Sequence, residues 1–185
     1  MNKYYNYIHI PRTGGTSVRR ACANNEYILN REHLYATDPV YNKHSTYMYT
    51  CRNPYDRLVS AFEFLKSREY INYEMDFKNF VNVVVSSYMN HQMVLARRNL
   101  LIMRMLDPQI LYIPEGLEAN EFRFETLEID FNKFMKDNGL VHEPLEKHNT
   151  INKIHDDWSL YYDDETRSRV SDWYSTDFDR FNYNI

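Results

Sequence analysis

Residues 4–20, YYNYIHIPRTGGTSVRR, constrain this chain more than any other segment. Tyr4 to Ile10 combines aromatic and β-branched side chains, the types that suit a pleated, half-buried strand. Pro11 to Gly15 breaks that pattern, and from Gly15 to about Asn25 the residues read as a helix. Gly14 and Gly15 allow backbone conformations and close approaches that a Cβ would block. Thr16 or Ser17 is placed to cap the helix. A strand, a glycine turn and a helix start aim several backbone N–H groups at one spot, which attracts phosphate or a related anion. The alternative is a tight βα connection that binds nothing. The loop is not a Walker A motif: GxxxxGK[ST] requires lysine directly before the final hydroxyl residue, and Thr16 holds that place.

The same grammar returns at residues 45–70, STYMYTCRNPYDRLVSAFEFLKSREY. Ser45 to Cys51 reads as a strand. Asn53 is a helix cap and Pro54 suits the first helical position. Leu58, Val59, Phe62 and Leu65 give that helix an apolar stripe. Arg52, at the strand's end, is aimed at the carboxyl edge of a sheet, where ligands of open α/β sheets bind. Ser60 lies two turns beyond Asn53, near Asp56 and Arg57, so a hydroxyl and an arginine can share one phosphate. At Ser60 the alternative is close helix packing, and for Arg57 a surface ion pair with Asp56 or Glu63 is the favoured reading.

The stretch through Asn42 carries few signals. Helices are expected over Asp76 to Ser87, about His91 to Met105, Leu127 to Asn138 stopped by Gly139, and Asp164 to Phe181. Short strands are expected at QILYIP and EFRFE, and the segment His142 to Tyr162 is polar and irregular. Strands alternating with helices predict an α/β three-layer domain with a mainly parallel central sheet flanked by helices. No linker or repeat divides residues 1–185, which read as a single domain.

With 185 residues, one domain buries roughly 70% of its unfolded surface. An apolar fraction of 43% with 17 tyrosines indicates a folded globule. The net charge of −4 argues against a nucleic-acid partner, so any anion site must be built locally from arginines and amides. No run approaches the length of a membrane span and the N-terminus enters a strand at once, which predicts a soluble, cytoplasmic chain without a signal peptide. Cys22 and Cys51, in expected helix and strand, have no metal-ligand spacing and read as reduced core residues.

Taken together, four segments resemble the PAPS-dependent sulfotransferases. PRTGGTS resembles their 5′-phosphosulfate loop and CRNPYDRLVSAF their 3′-phosphate motif. FRFETLEIDFNKFM and the C-terminal NTINKIHDDWSLYYDDETRSRVSDWYSTDFDRFNY are similar to segments of the carbohydrate branch. The resemblance runs through nearly the whole chain in the family's order and implies a P-loop-like fold. It implies that Arg12 contacts the phosphosulfate and that Thr13, Gly14, Gly15, Thr16 and Ser17 cradle it. Arg52 and Ser60 would hold the 3′-phosphate, and Asn152 and Lys153 would lie near the donor. Ile154 departs from the pattern, standing where the family has Ser or Thr. The implied activity is transfer of a sulfuryl group from 3′-phosphoadenylyl sulfate (PAPS) to a hydroxyl, on a carbohydrate, with adenosine 3′,5′-bisphosphate as product and no metal required.

Such transfer demands in-line geometry and charge stabilisation. Arg12 supplies charge but not a proton, because guanidinium keeps its protons at neutral pH. An acceptor hydroxyl needs a base. His44 and His91 rank first, ahead of His33, His148 and the carboxylate of Glu63, while His9 reads as core or as a support behind the site. The rival enzyme, a P-loop kinase or NTPase, would need a loop lysine and a strand-end carboxylate for Mg²⁺. A non-catalytic nucleotide-binding module is the third reading.

Overall fold

The computed structural model describes residues 4–39, 46–89, 97–146 and 154–185. They form two compact units, Met1–Arg52 with Gln109–Thr150, and Asn53–Pro108 with Ile151–Ile185. The architecture is α/β, with an all-parallel four-stranded sheet flanked by helices.

In the first unit the elements are β1 (Tyr5–His9), α1 (Gly15–Ala21), β2 (Ile28–Glu32), β3 (Thr46–Cys51), β4 (Ala119–Arg123) and α6 (Leu127–Asp137). The sheet order is β2-β1-β3-β4, and every pairing is parallel. β1 and β3 are buried along their whole length, as strands of a parallel sheet covered on both faces are. Tyr5, Tyr7, Met48 and Phe122 pack on one face with Val18 of α1 and Phe131 of α6. Each such side chain contributes about 1.5–3 kcal/mol on burial. Tyrosine can occupy this core because its hydroxyl finds a partner. Tyr5 donates to Asn138 Oδ1 at 2.8 Å, Tyr7 bonds Thr50 Oγ1 at 2.9 Å, and Tyr49 donates to Glu121 Oε2 at 2.8 Å.

Three expectations change here. β2 arises in the stretch that shows few strand signals, because it is an edge strand held by its ladder to β1, from Tyr5↔Ile28 to His9↔Glu32. QILYIP is not a strand: Gln109–Tyr112 is a 3₁₀ turn. The buried Gln109 amide accepts from Arg52 N–H at 3.0 Å and donates to Arg52 O at 2.9 Å, so a side chain takes the place of a ladder neighbour just past β3. EFRFE is a strand only through Arg123, and Phe124–Thr126 turns as a 3₁₀ segment.

The second unit contains α2 (Pro54–Ser67), α3 (Phe77–Asn79), a π-helical segment (Phe80–Val85), α4 (Ser86–Met89), α5 (Arg97–Leu106), a 3₁₀ turn (Trp158–Tyr161), α7 (Asp164–Trp173) and α8 (Ser175–Phe181). Asn53 caps α2, its side chain accepting from Tyr55 and Asp56 N–H groups, with Pro54 at the first position. Leu58, Val59, Phe62 and Leu65 join one core with Phe80, Leu106, Val170 and Phe178. Arg57 is not a surface residue: it is 1% exposed and donates to Asp107 O at 2.9 Å. The expected C-terminal helix divides at Tyr174 (φ −99°, ψ 22°), whose hydroxyl donates to Leu106 O at 2.7 Å. That bend lets Phe178 and Phe181 both face inward, at 2% and 1% exposure.

Cys22 and Cys51 are buried and not joined in a disulfide, Cys22 at the end of α1 rather than within it. Among the described residues no helix is long and apolar enough to cross a membrane, and no group of three or more His, Cys, Asp or Glu could hold a metal ion.

Candidate functional site

From β1 the chain passes to one neighbour, β2, and β3 lies on the other side of β1. The gap between the carboxyl ends of β1 and β3 is therefore the topological switch point of the sheet, where open α/β folds bind ligands. The loop Ile10–Gly14 leaves β1 there and Arg52 leaves β3 there, so the two stretches meet on hydrogen-bonded neighbouring strands.

The loop is held by its own backbone. Arg12 and Gly14 take left-handed conformations, φ 66° and 86°. At Gly14 a Cβ would also press on Leu127 Cδ2 and Phe124 Cδ2, each at 3.0 Å, so glycine is required twice over. Gly14 is the N-cap of α1 and no side chain caps the helix, so neither Thr16 nor Ser17 plays that part. The Ser17 N–H instead closes onto Gly14 O at 3.0 Å. Thr13 is fully buried and its hydroxyl donates to Ile10 O at 2.9 Å, which locks the turn. Gly15 sits on the His9 ring: a Cβ there would run into its Cδ2–Nε2 edge.

Arg52 is 6% exposed, unusual for a cation. Its Nη1 donates to Arg12 O at 3.0 Å, and its guanidinium lies 3.9 Å from the centroid of the Phe124 ring. Gln109 brackets its backbone. Backbone, stacking and carbonyl contacts together fix the direction of a planar group with five N–H donors, the geometry suited to a phosphate or sulfonate. Arg12 stands half-buried on the loop itself. His9, 7% exposed, has its pKa lowered to about 3, chiefly by burial and then by the charges of His33, Arg19 and Arg12, so it is neutral at physiological pH.

The structure thus brings Arg12, Thr13, Gly14, Gly15, Thr16, Ser17 and Arg52 to one sheet edge. Ser60, in the second unit, is 5% exposed on α2. Glu63, also on α2, is buried and accepts the Tyr161 hydroxyl at 2.7 Å, an oxygen that in turn accepts from the N–H groups of Ile154 and His155. His33 lies beside His9, with ring centroids 4.6 Å apart. His44, His91, His148, Asn152 and Lys153 lie outside the described residues. Sequence reasoning missed Gln109 and Phe124 as supports of Arg52; the FRFE segment was the available signal for Phe124.

The sequence model of the sulfotransferase family matches residues 2–184. No curated protein and no solved structure matches the chain. The family match spans nearly the whole chain, loop and Arg52 included, and the chain belongs to the sulfotransferase family, whose chemistry is sulfuryl transfer.

Proposed function

We propose that this protein transfers a sulfuryl group from PAPS to an acceptor hydroxyl on a carbohydrate. The observation that carries the reading is the contact of the buried Arg52 guanidinium with the backbone of the glycine loop at Arg12, at the switch point of a parallel sheet. The residues fit such a donor: the groups gathered at the sheet edge are arginine and backbone amide, the chemistry that recognises phosphate and sulfonate. When bound, PAPS supplies the sulfuryl group and a phosphate leaving group.

Arg12 places a permanent positive charge on the loop and stabilises charge that grows on the transferring group; it donates hydrogen bonds but no proton. Thr13 holds the turn, and Gly14, Gly15, Thr16 and Ser17 form the cradle. The motif assigns the 3′-phosphate to Arg52 and Ser60, and a donor contact to Asn152 and Lys153. His44 or His91 removes the proton of the acceptor hydroxyl. The scheme gives no role to a metal ion. Residues 1–185 act as one domain in this reading, supported by a family match that runs through both units. The carbohydrate acceptor is supported by the two segments that resemble that branch.

The test is incubation of the full chain with PAPS carrying labelled sulfate, against a panel of glycans, tyrosine peptides and small alcohols. Label should appear on a glycan. Label confined to a peptide or alcohol would overturn the acceptor class, and an absence of both transfer and donor hydrolysis would overturn the activity.

A further inference from the structure

The floor of the glycine loop holds a group that the proposed chemistry does not use. His9 closes β1 and is more than nine-tenths buried, at 7% exposure. One edge of its ring occupies the space a Cβ on Gly15 would need. His33 stands on the ring at 4.6 Å between centroids, and its N–H donates to the His9 carbonyl at 3.2 Å. His33 itself is held at φ 51°, a left-handed conformation that persists in a non-glycine residue only where its surroundings impose it. Nδ1 of His9 is buried with no hydrogen-bond partner among the described residues. An apolar side chain would fill this space without burying an unmatched polar atom, which is costly.

We propose that His9 is a positioning residue for the glycine loop: its imidazole, between Gly15 and His33, sets the height and direction at which the loop presents its backbone amides to the 5′ anionic group of the donor. The inference rests on the sulfuryl-transfer reading given above. The loop turns through two left-handed residues, and directly beneath Gly15, at the strand end, the ring fills the space a side chain there would take. Burial, with Arg12 and Arg19 nearby, keeps that ring uncharged, so it shapes the site without competing with Arg12 for the anion. Removing the ring lets the loop sink, and misplacement of a binding group by about 1 Å is enough to weaken a site severely.

Calorimetric titration of the full chain with adenosine 3′,5′-bisphosphate and with adenosine 3′-monophosphate isolates the 5′-phosphate assigned to the loop. Wild type should prefer the bisphosphate, and His9→Ala should shrink that preference about tenfold, with affinity for the monophosphate held within about twofold. His9→Gln fills most of the space without a ring, and should show the same loss if the alanine variant does not fold. A folded His9 variant that keeps the full preference overturns the positioning role and leaves sulfuryl transfer standing. Equal loss of both ligands reduces His9 to a general packing residue, which also overturns it. A wild-type chain with no preference for the bisphosphate removes the parent reading, and this inference with it.

Discussion

Arg12 combines an unfavourable backbone with a charge at the mouth of the loop. At φ 66° a non-glycine residue is strained, at a cost of about 1 kcal/mol or more. Arg12→Gly relieves that strain and Arg12→Ala does not, so the glycine variant should be the more stable of the two. Both lose the charge, and both should lower kcat by about 10²-fold, with a smaller effect on bisphosphate affinity. Arg12→Lys should recover part of the rate. Near-normal kcat with collapsed affinity would make Arg12 a binding residue only. His9 gives a second test at this scale. Its folded pKa is lowered from 6.5 to about 3, so between these values the unfolded chain binds a proton that the folded chain refuses. Its contribution is complete above about pH 6.5 and is lost as pH falls toward 3. Melting temperature followed over that range should fall in wild type and fall less steeply in His9→Gln; equal slopes would contradict the burial of a neutral imidazole.

The elements divide into those set locally and those set by distant partners. The start of α2 is legible in the sequence because Asn53 and Pro54 act on their own helix. The 3₁₀ turn at Gln109–Tyr112 is not, because it is decided by an amide that bridges the backbone of Arg52. β2 shows few strand signals because its ladder to β1, not its composition, makes it a strand. The break falls at Tyr174, whose hydroxyl reaches Leu106 O, a partner far away in sequence. Arg57 is the clearest misreading: a helix arginine between two acids suggests a surface pair, yet the side chain is fully buried. Arg57→Ala should therefore destabilise the chain by about 3 kcal/mol, through the cavity left by a large buried side chain and the loss of its bond to Asp107 O. Chemical denaturation measures this, and a loss below about 1 kcal/mol would show that the site relaxes without it.

Across the whole molecule, a net charge of −4 coexists with a local cationic edge built from Arg12 and Arg52. Those residues are legible because their motifs are short and contiguous. Phe124 and Gln109 support Arg52 through contacts that only the fold creates, and for His9 the sequence offers its place in the first strand but not its contact with Gly15. We propose that this edge takes the donor of a sulfuryl transfer rather than a nucleoside triphosphate. Thermal unfolding with adenosine 3′,5′-bisphosphate, set against ATP with Mg²⁺, tests it most directly. At about 100 times its Kd a ligand stabilises the native state by about 2.7 kcal/mol, a shift of several degrees for a chain of this size. The bisphosphate, without metal, should give the larger shift, and Arg52→Ala should remove most of it, since a charge-assisted contact is worth on the order of 2 kcal/mol. A larger shift with ATP and Mg²⁺, or none with the bisphosphate, would contradict the account.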